Sequence, residues 1–519
     1  NNCGGPSTTL LTVWVTPGTN PPSTGITVAA DLSAIGGSAA QAFYDDGTNG
    51  DVTPGNNTFS FRTAVPAGTS PGGKAFAYSI ADFQGRAGSG VASLTVTACP
   101  TAGPDVYIGD LSDVDYYGQV GDILAYAVGT NACNQGDVPV LWIDHESNPN
   151  YDANQHPVIA QNFYRLKNNR FEQIGQSWLK HGFVSTNSGF CGTCSGPPLG
   201  GDQLGLGCSD LYSAGLNGSQ GGLGPRSQVN ATTGAYPFPY SAPAAAATIG
   251  RRLQVHFADV DPAQNAGALY YAEGHYVTAD DAAFTTATVR GNGLNNMSWR
   301  RISMTTPQPA GGDIPFIGAT VRQQPAIMAW PLNDPSVVLF PADYLENSIT
   351  ARFYVGAKVT SNGNGTWNYE YAVHNINSNR AGGSFSVPLP PGAQVTGIGF
   401  HDVDSHSGEP FSLADWAPTV APGGISWATQ TFAQNANALR WGTLYNFRFT
   451  ANVAPNMTGS ATIGLFAPGA GDVGVVATVP APLTPTCGSA DFDNDGDTGT
   501  DQDIAVSYTH LTLPTNREV

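Results

Sequence analysis

Nowhere in this chain does an apolar stripe of helical period last three turns. The apolar residues fall in short runs rich in Val, Ile, Thr, Tyr and Phe, often alternating with polar ones. Sixty-four glycines and 38 prolines punctuate them. Alternation at period two gives a strand one apolar face, and Gly and Pro end strands in tight turns. The pattern predicts an all-β protein of tandem antiparallel β-sandwiches with long ordered loops. At 519 residues the chain exceeds what one core organises, so it divides into modules.

Charge is sparse and one-sided, with 39 acidic against 20 basic residues and a net charge of −19. A nucleic-acid partner needs a basic face, which this balance excludes. Carboxylates in excess suit a secreted protein that meets divalent cations. No apolar run is long enough for a transmembrane segment. The chain begins at Asn1 without Met, as a mature or trimmed chain would.

Seven cysteines are spaced along the chain. Cys3 and Cys99 bracket the first module and predict a staple across its ends. Cys133, Cys191, Cys194 and Cys208 allow two bridges in three connectivities. The competing reading is a zinc site on Cys191-x-x-Cys194 with Cys133 and Cys208. Cys487 is left over. Spaced cysteines in an acidic, strand-rich chain point to an oxidising, extracellular compartment.

Residues 1–101 predict one β-sandwich, with strands in LLTVWVTP, GITVAADLS, AFAYSIADF and GVASLTVTA. Its loop carries Asp45, Asp46, Asn49 and Asp51, which read either as calcium ligands or as Asx-turns. This block resembles the Ig-like modules of large secreted bacterial proteins, particularly of planctomycetes, and the resemblance implies a spacer.

Residues 102–345 form a central β domain. VIAQNFYRL, an asparagine turn at Asn168-Asn169 and FEQIGQSWLKHGF predict a hairpin. From Val184 to about Ala247 runs a Gly/Cys-rich loop whose Leu, Tyr and Cys residues argue for order. RRLQVHFADVDPAQNAGALYYAEGHYV predicts a second hairpin, with Gln254 and His256 on one face of its first strand and Glu273 with His275 on its second. Residues 346–477 predict a β-sandwich of the jelly-roll or Ig-like kind. In it Trp367, Tyr369, Tyr371 and Val373 share one face, and Glu370 and His374 the other.

A Pro-rich linker follows from 478, then Asp491-Phe-Asp493-Asn-Asp495-Gly-Asp497-Thr-Gly-Thr-Asp501-Gln-Asp503. Close-spaced carboxylates repel unless a cation sits among them, and side chains at positions one, three and five with glycine at six are what a calcium loop uses. The stretch resembles the dockerin and EF-hand loop. It departs at the twelfth position, Gln502, so Asp501 or Asp503 closes the shell. The linker and loop occupy 478–503. Residues 504–519 fit nothing before them and read as translated sequencing adapter at a metagenomic gene end, a non-native tail in which His510 carries no function.

The stretch from Trp142 to His181 holds three of the nine histidines and the acids Asp144 and Glu146. A transition metal (copper, iron or zinc) needs two or three converging imidazoles. His145, His156, His181, His256 and His275 are the candidate ligands. His181, His145, His156, Asp144 and Glu273 are the candidate catalytic residues. Glycoside hydrolysis needs two carboxyls facing one cleft, and Asp144, Glu146, Glu172 and Glu273 are available, with Tyr164 beside them. His401 and His406 come to one side only if the chain turns after Val403. No HExxH, nucleophile elbow or phosphate loop is present.

Taken whole, the order of modules resembles uncharacterised planctomycete-type secreted proteins, a resemblance that implies extracellular modular architecture and no activity. The first expectation is a calcium-stabilised structural, adhesive or glycan-binding protein of a cell surface, matrix or filament, with self-assembly through open sheet edges as a further property. The second is a metalloenzyme. The third is a glycan-active hydrolase or lyase.

Overall fold

The asparagine pair makes the turn assigned to it. In the computed structural model, which describes residues 7–66, 69, 72–96, 101–143, 155–304, 314–432 and 435–482, Asn168 and Asn169 have φ of 50° and 66°. Asparagine tolerates this left-handed region, and two such residues give the turn whose twist matches paired strands. They join the strands Val158–Lys167 and Arg170–Gln176. The fold is all-β. Its longest helix among the described residues, Ala329–Asn333, has five residues, and none is long and apolar enough to cross a membrane.

The chain forms two units, divided after Ala102. In the first, strand Ser7–Trp14 pairs with Thr58–Val65. A second sheet runs Gln41–Phe43, Thr27–Ala30, Gly72–Ala81, Ala87–Val96. Alternation decides the faces: Leu11 and Val13 are buried with Val28, Phe59 and Phe76, while Trp14 is exposed. The acidic loop is made of turns. Asp51 accepts the Gly47 amide at 2.7 Å, Asp46 the Thr48 amide at 2.9 Å, and Asp45 the Asn57 amide at 2.8 Å. The Asx-turn reading accounts for these side chains. Cys3 and Cys99 lie outside the described residues.

The second unit is built on a sheet of eleven strands. Its central path runs Ile123–Asn134, Leu253–His256, Arg170–Gln176, Val158–Lys167, Leu269–Val277, Met297–Ile302, Phe316–Val321. Strand Val106–Val120 pairs with Ile123–Asn134 at one end. It also meets the other end: the Leu111 amide donates to Thr320 Oγ1 at 3.1 Å, and Arg300 Nη1 to the Leu111 carbonyl at 2.9 Å. The sheet thus curls into a nearly closed barrel. Ile108, Leu111, Val128, Phe163, Val255 and Tyr276 are among the apolar side chains that fill it.

The hairpin expected over residues 251–277 does not form. Leu253–His256 pairs with Ile123–Asn134 and Arg170–Gln176, whereas Leu269–Val277 pairs with Val158–Lys167 and Met297–Ile302. A helical turn, Phe257–Val260, redirects the chain between them. Both strands are central, so each has better-buried partners than the other. The glycine-rich stretch after Val184 is ordered, as its composition argued. Cys133 is bonded to Cys191 and Cys194 to Cys208, one of the three pairings left open, and these bonds take the thiols that a zinc site would use.

Two five-stranded sheets follow. One runs Val338–Glu346, Ile349–Ser361, Trp367–Asn375, Thr443–Ala451, Val395–His401. The other runs Ala417–Ala421, Gly424–Ala428, Gly382–Pro388, Ser460–Leu465, Gly474–Thr478. Between them lie Tyr369, Tyr371, Phe385, Trp427, Phe447 and Phe449. The first sheet's outer face is also covered. Ala372 and Leu444 pack against Tyr164, Phe171, Tyr271 and Trp330 of the central body. Asn446 Nδ2 donates to the Phe171 carbonyl at 3.0 Å, and Arg170 Nε pairs with Glu370 at 2.9 Å.

Candidate functional site

A cleft of about 380 Å³ opens where strand Val395–His401 ends against the central sheet. Strand Leu253–His256 brings Gln254 and His256 to it, on the common face that alternation assigns them. The helical turn adds Asp259, and the neighbouring strand adds Gln173 and Gln176. The facing wall is the segment 401–407. The strand ends at His401, so His401 and His406 both reach the cleft, with Asp402 and Asp404 between them.

The segment is tied down by side chains of the central sheet. Gln176 Nε2 donates to the Asp404 carbonyl at 2.8 Å, and Gln254 Nε2 to Ser407 Oγ at 2.8 Å. His256 stands between two acids: Nδ1 is 2.8 Å from Asp122 Oδ2 and Nε2 is 2.9 Å from Asp404 Oδ2. Two acceptors call for an imidazolium, since a neutral ring carries one N–H. Partial burial works against that charge, but the two carboxylates outweigh it and raise the pKa. Burial acts on the neighbours with nothing so strong to oppose it. It lowers His401, whose Nδ1 has no partner, and raises the Asp402 carboxyl to about 7 against the amide of Asn437. The cleft therefore holds a cationic ring, a neutral ring and a carboxyl protonated below neutrality, and can donate and accept protons on both walls.

The residues singled out by sequence fall into separate places. His156 and His181 meet, Nε2 to Nδ1 at 2.8 Å, inside a nest of Tyr236, Phe238 and Tyr240. Burial, then His156 and Lys180, lower His181 to about 3. Glu273 and His275 are buried at the seam with the sandwich and do not line the cleft. Glu273 accepts the Tyr164 hydroxyl at 2.8 Å, the Asn162 amide at 2.9 Å and the Ala326 N–H at 2.6 Å. Burial raises its pKa despite these donors. His275 packs its edge on Trp441, and burial followed by His374 and Arg226 lowers it to about 3. Glu172 pairs with Arg165 at 2.8 Å.

Among the described residues no three His, Cys, Asp or Glu side chains are disposed to hold a metal. Among the described members of the imidazole set, His156 and His181 are in hydrogen-bond contact with each other. Asp144, His145 and Glu146 lie outside the described residues, as do Asp491, Asp493, Asp495, Asp497, Asp501 and Asp503 of the calcium loop.

Sequence reasoning passed over Asp122, Asp402 and Asp404. A signal for the last two was present in His401-Asp-Val-Asp-Ser-His406, where polar residues interrupt alternation. Asp122 carried none, because its role depends on a strand far along the chain. The chain matches no protein-family model and no curated protein sequence.

Proposed function

We propose that this is a secreted, modular, calcium-stabilised extracellular protein of the structural or adhesive kind, and that the cleft at 401–407 is its binding site, with a glycan as ligand. The observation that carries the reading is the lining of the cleft. Amides, hydroxyls and acids line it together with the aliphatic residues Ile123, Ile174, Ile249, Val403 and Leu413. Sugars present hydroxyl edges and C–H faces, and a concave site offering fixed polar groups on an aliphatic floor matches both. Two disulfides and an excess of carboxylates support an oxidising, cation-rich setting. The Asp491–Asp503 loop is the proposed calcium site on its spacing alone. Titration calorimetry of the full chain against a panel of oligosaccharides tests the binding reading. Saturable binding that falls at least tenfold in Gln254→Ala supports it, and no binding at millimolar ligand ends it.

One observation favours a hydrolase as the second reading. Asp402, raised to about 7, is a carboxyl able to protonate a leaving group, and Asp259 and Asp404 share its cleft. Release of reducing ends from an oligosaccharide, lost in Asp402→Asn while binding persists, would establish it. Binding without turnover would remove it.

A further inference from the structure

Beside the cleft is a second, smaller cavity of about 60 Å³, and the two share Gln176, Ser405 and His406. Two arginines line it, Arg226 and Arg440. Among the described residues neither guanidinium has a carboxylate within ion-pair distance. Arg226 is 7% exposed. Its Nε donates to the Ser177 carbonyl at 2.6 Å, and Nη2 to the Gln161 carbonyl at 3.1 Å and Asn162 Oδ1 at 2.8 Å. Its Nη1 reaches only the Gly442 carbonyl at 3.4 Å, beyond the usual range. Arg440 Cζ sits over the Phe411 ring, 3.4 Å from its centroid, with Nη2 on the Ala436 carbonyl at 3.1 Å. Its Nε is buried without a partner.

The acid in the wall is already engaged. Glu409 Oε1 accepts the Arg226 backbone N–H at 2.6 Å, and Oε2 the Ser227 N–H at 3.4 Å. Burial lowers both arginines to about 10, which leaves them charged at neutral pH. A buried and a half-buried cation, with Glu409 and Glu273 near but not paired with either guanidinium, are costly, since buried charges are ordinarily paired. In a chain of net charge −19 this is a local reversal of sign. The volume decides the size of the missing partner. One water needs roughly 10–15 Å³ of such space, so the cavity admits a group of a few heavy atoms and no sugar ring.

We propose that this cavity receives the anionic group, a carboxylate or a sulfate, of an acidic saccharide whose rings occupy the adjoining cleft. The inference rests on the glycan reading and narrows it to acidic glycans. Arg440 supplies a planar fork for two oxygens and Nη1 of Arg226 a further donor. Arg226 also fastens Ser177, Gln161 and Asn162 in place, so Arg440 is the residue to alter.

The test uses the full chain, calorimetry at fixed ionic strength and pH 7, and four probes: a glucuronic-acid tetrasaccharide, a sulfated glucose tetrasaccharide, the neutral glucose tetrasaccharide and free sulfate. The expected result is acidic saccharides bound at least tenfold more tightly than the neutral one. Arg440→Gln should erase that preference and leave neutral affinity unchanged. Should the glutamine variant unfold, the ratio of acidic to neutral affinity on the unaltered chain decides alone. Neutral binding with no acidic preference overturns this inference and spares the glycan reading. Sulfate binding that Arg440→Gln removes, with no saccharide bound, keeps the anion cavity and ends the glycan reading. No binding of any probe ends both.

Discussion

The Nε2 of His256 lies 2.9 Å from Oδ2 of Asp404, and this contact fastens the wall of the cleft to the central sheet. Its other nitrogen is held by Asp122. The pKa is raised, so the contact's contribution is complete below the unfolded value of about 6.5 and is lost as pH climbs through the folded value. The thermal midpoint should therefore decline above pH 6.5 more steeply in the native chain than in His256→Gln. Parallel pH profiles in differential scanning calorimetry would remove the assignment.

Asp402 moves stability in the same direction with pH, but through a neutral form that the fold favours. Its carboxyl is raised from 3.8 to about 7. Between those values the unfolded chain ionises and the folded chain does not, so stability drains away as pH rises. Asp402→Asn keeps an acceptor for Asn437 and removes the titration. Urea denaturation should find the variant about 1–3 kcal/mol more stable than native at pH 8 and nearly equal at pH 4.

Glu273 is fully buried and takes three donors. Glu273→Gln sets an NH₂ group against one or more of them and leaves a donor without an acceptor. The expected loss is about 1–3 kcal/mol in the urea transition. Tyr164→Phe, which removes one donor, should cost less.

The two disulfides should differ in worth. Cys133–Cys191 spans 58 residues and Cys194–Cys208 spans 14. Loop-closure entropy gives about 4 and about 3 kcal/mol respectively. Denaturation of Cys133→Ser/Cys191→Ser and Cys194→Ser/Cys208→Ser pairs measures the order, and a larger loss from the short loop would contradict it.

Local chemistry was legible in the sequence. Asn168-Asn169 announced their turn, and alternation placed Tyr369 and Tyr371 in the sandwich core with His374 on the opposite face. Partner choice between strands was not legible. Leu253–His256 and Leu269–Val277 look like neighbours in sequence, yet two other strands lie between them in the sheet. The cleft was hidden for the same reason. Asp122, His256 and Asp404 are separated by 134 and 148 residues, and no periodicity connects them. Arg226 opens a single 3-10 turn, Arg226–Gln228, and Arg440 lies in irregular chain, both too short or too irregular for pattern to inform on burial.

The seam between barrel and sandwich sets what evolution or an engineer can cut. It is sewn by Arg170 with Glu370, Gln173 with the Leu444 amide, and Asn446 with the Phe171 carbonyl. Grafting either body alone onto another protein would strand these groups and strip the apolar cover from Tyr164 and Ala372. Barrel and sandwich should therefore travel through genomes as a single heritable piece.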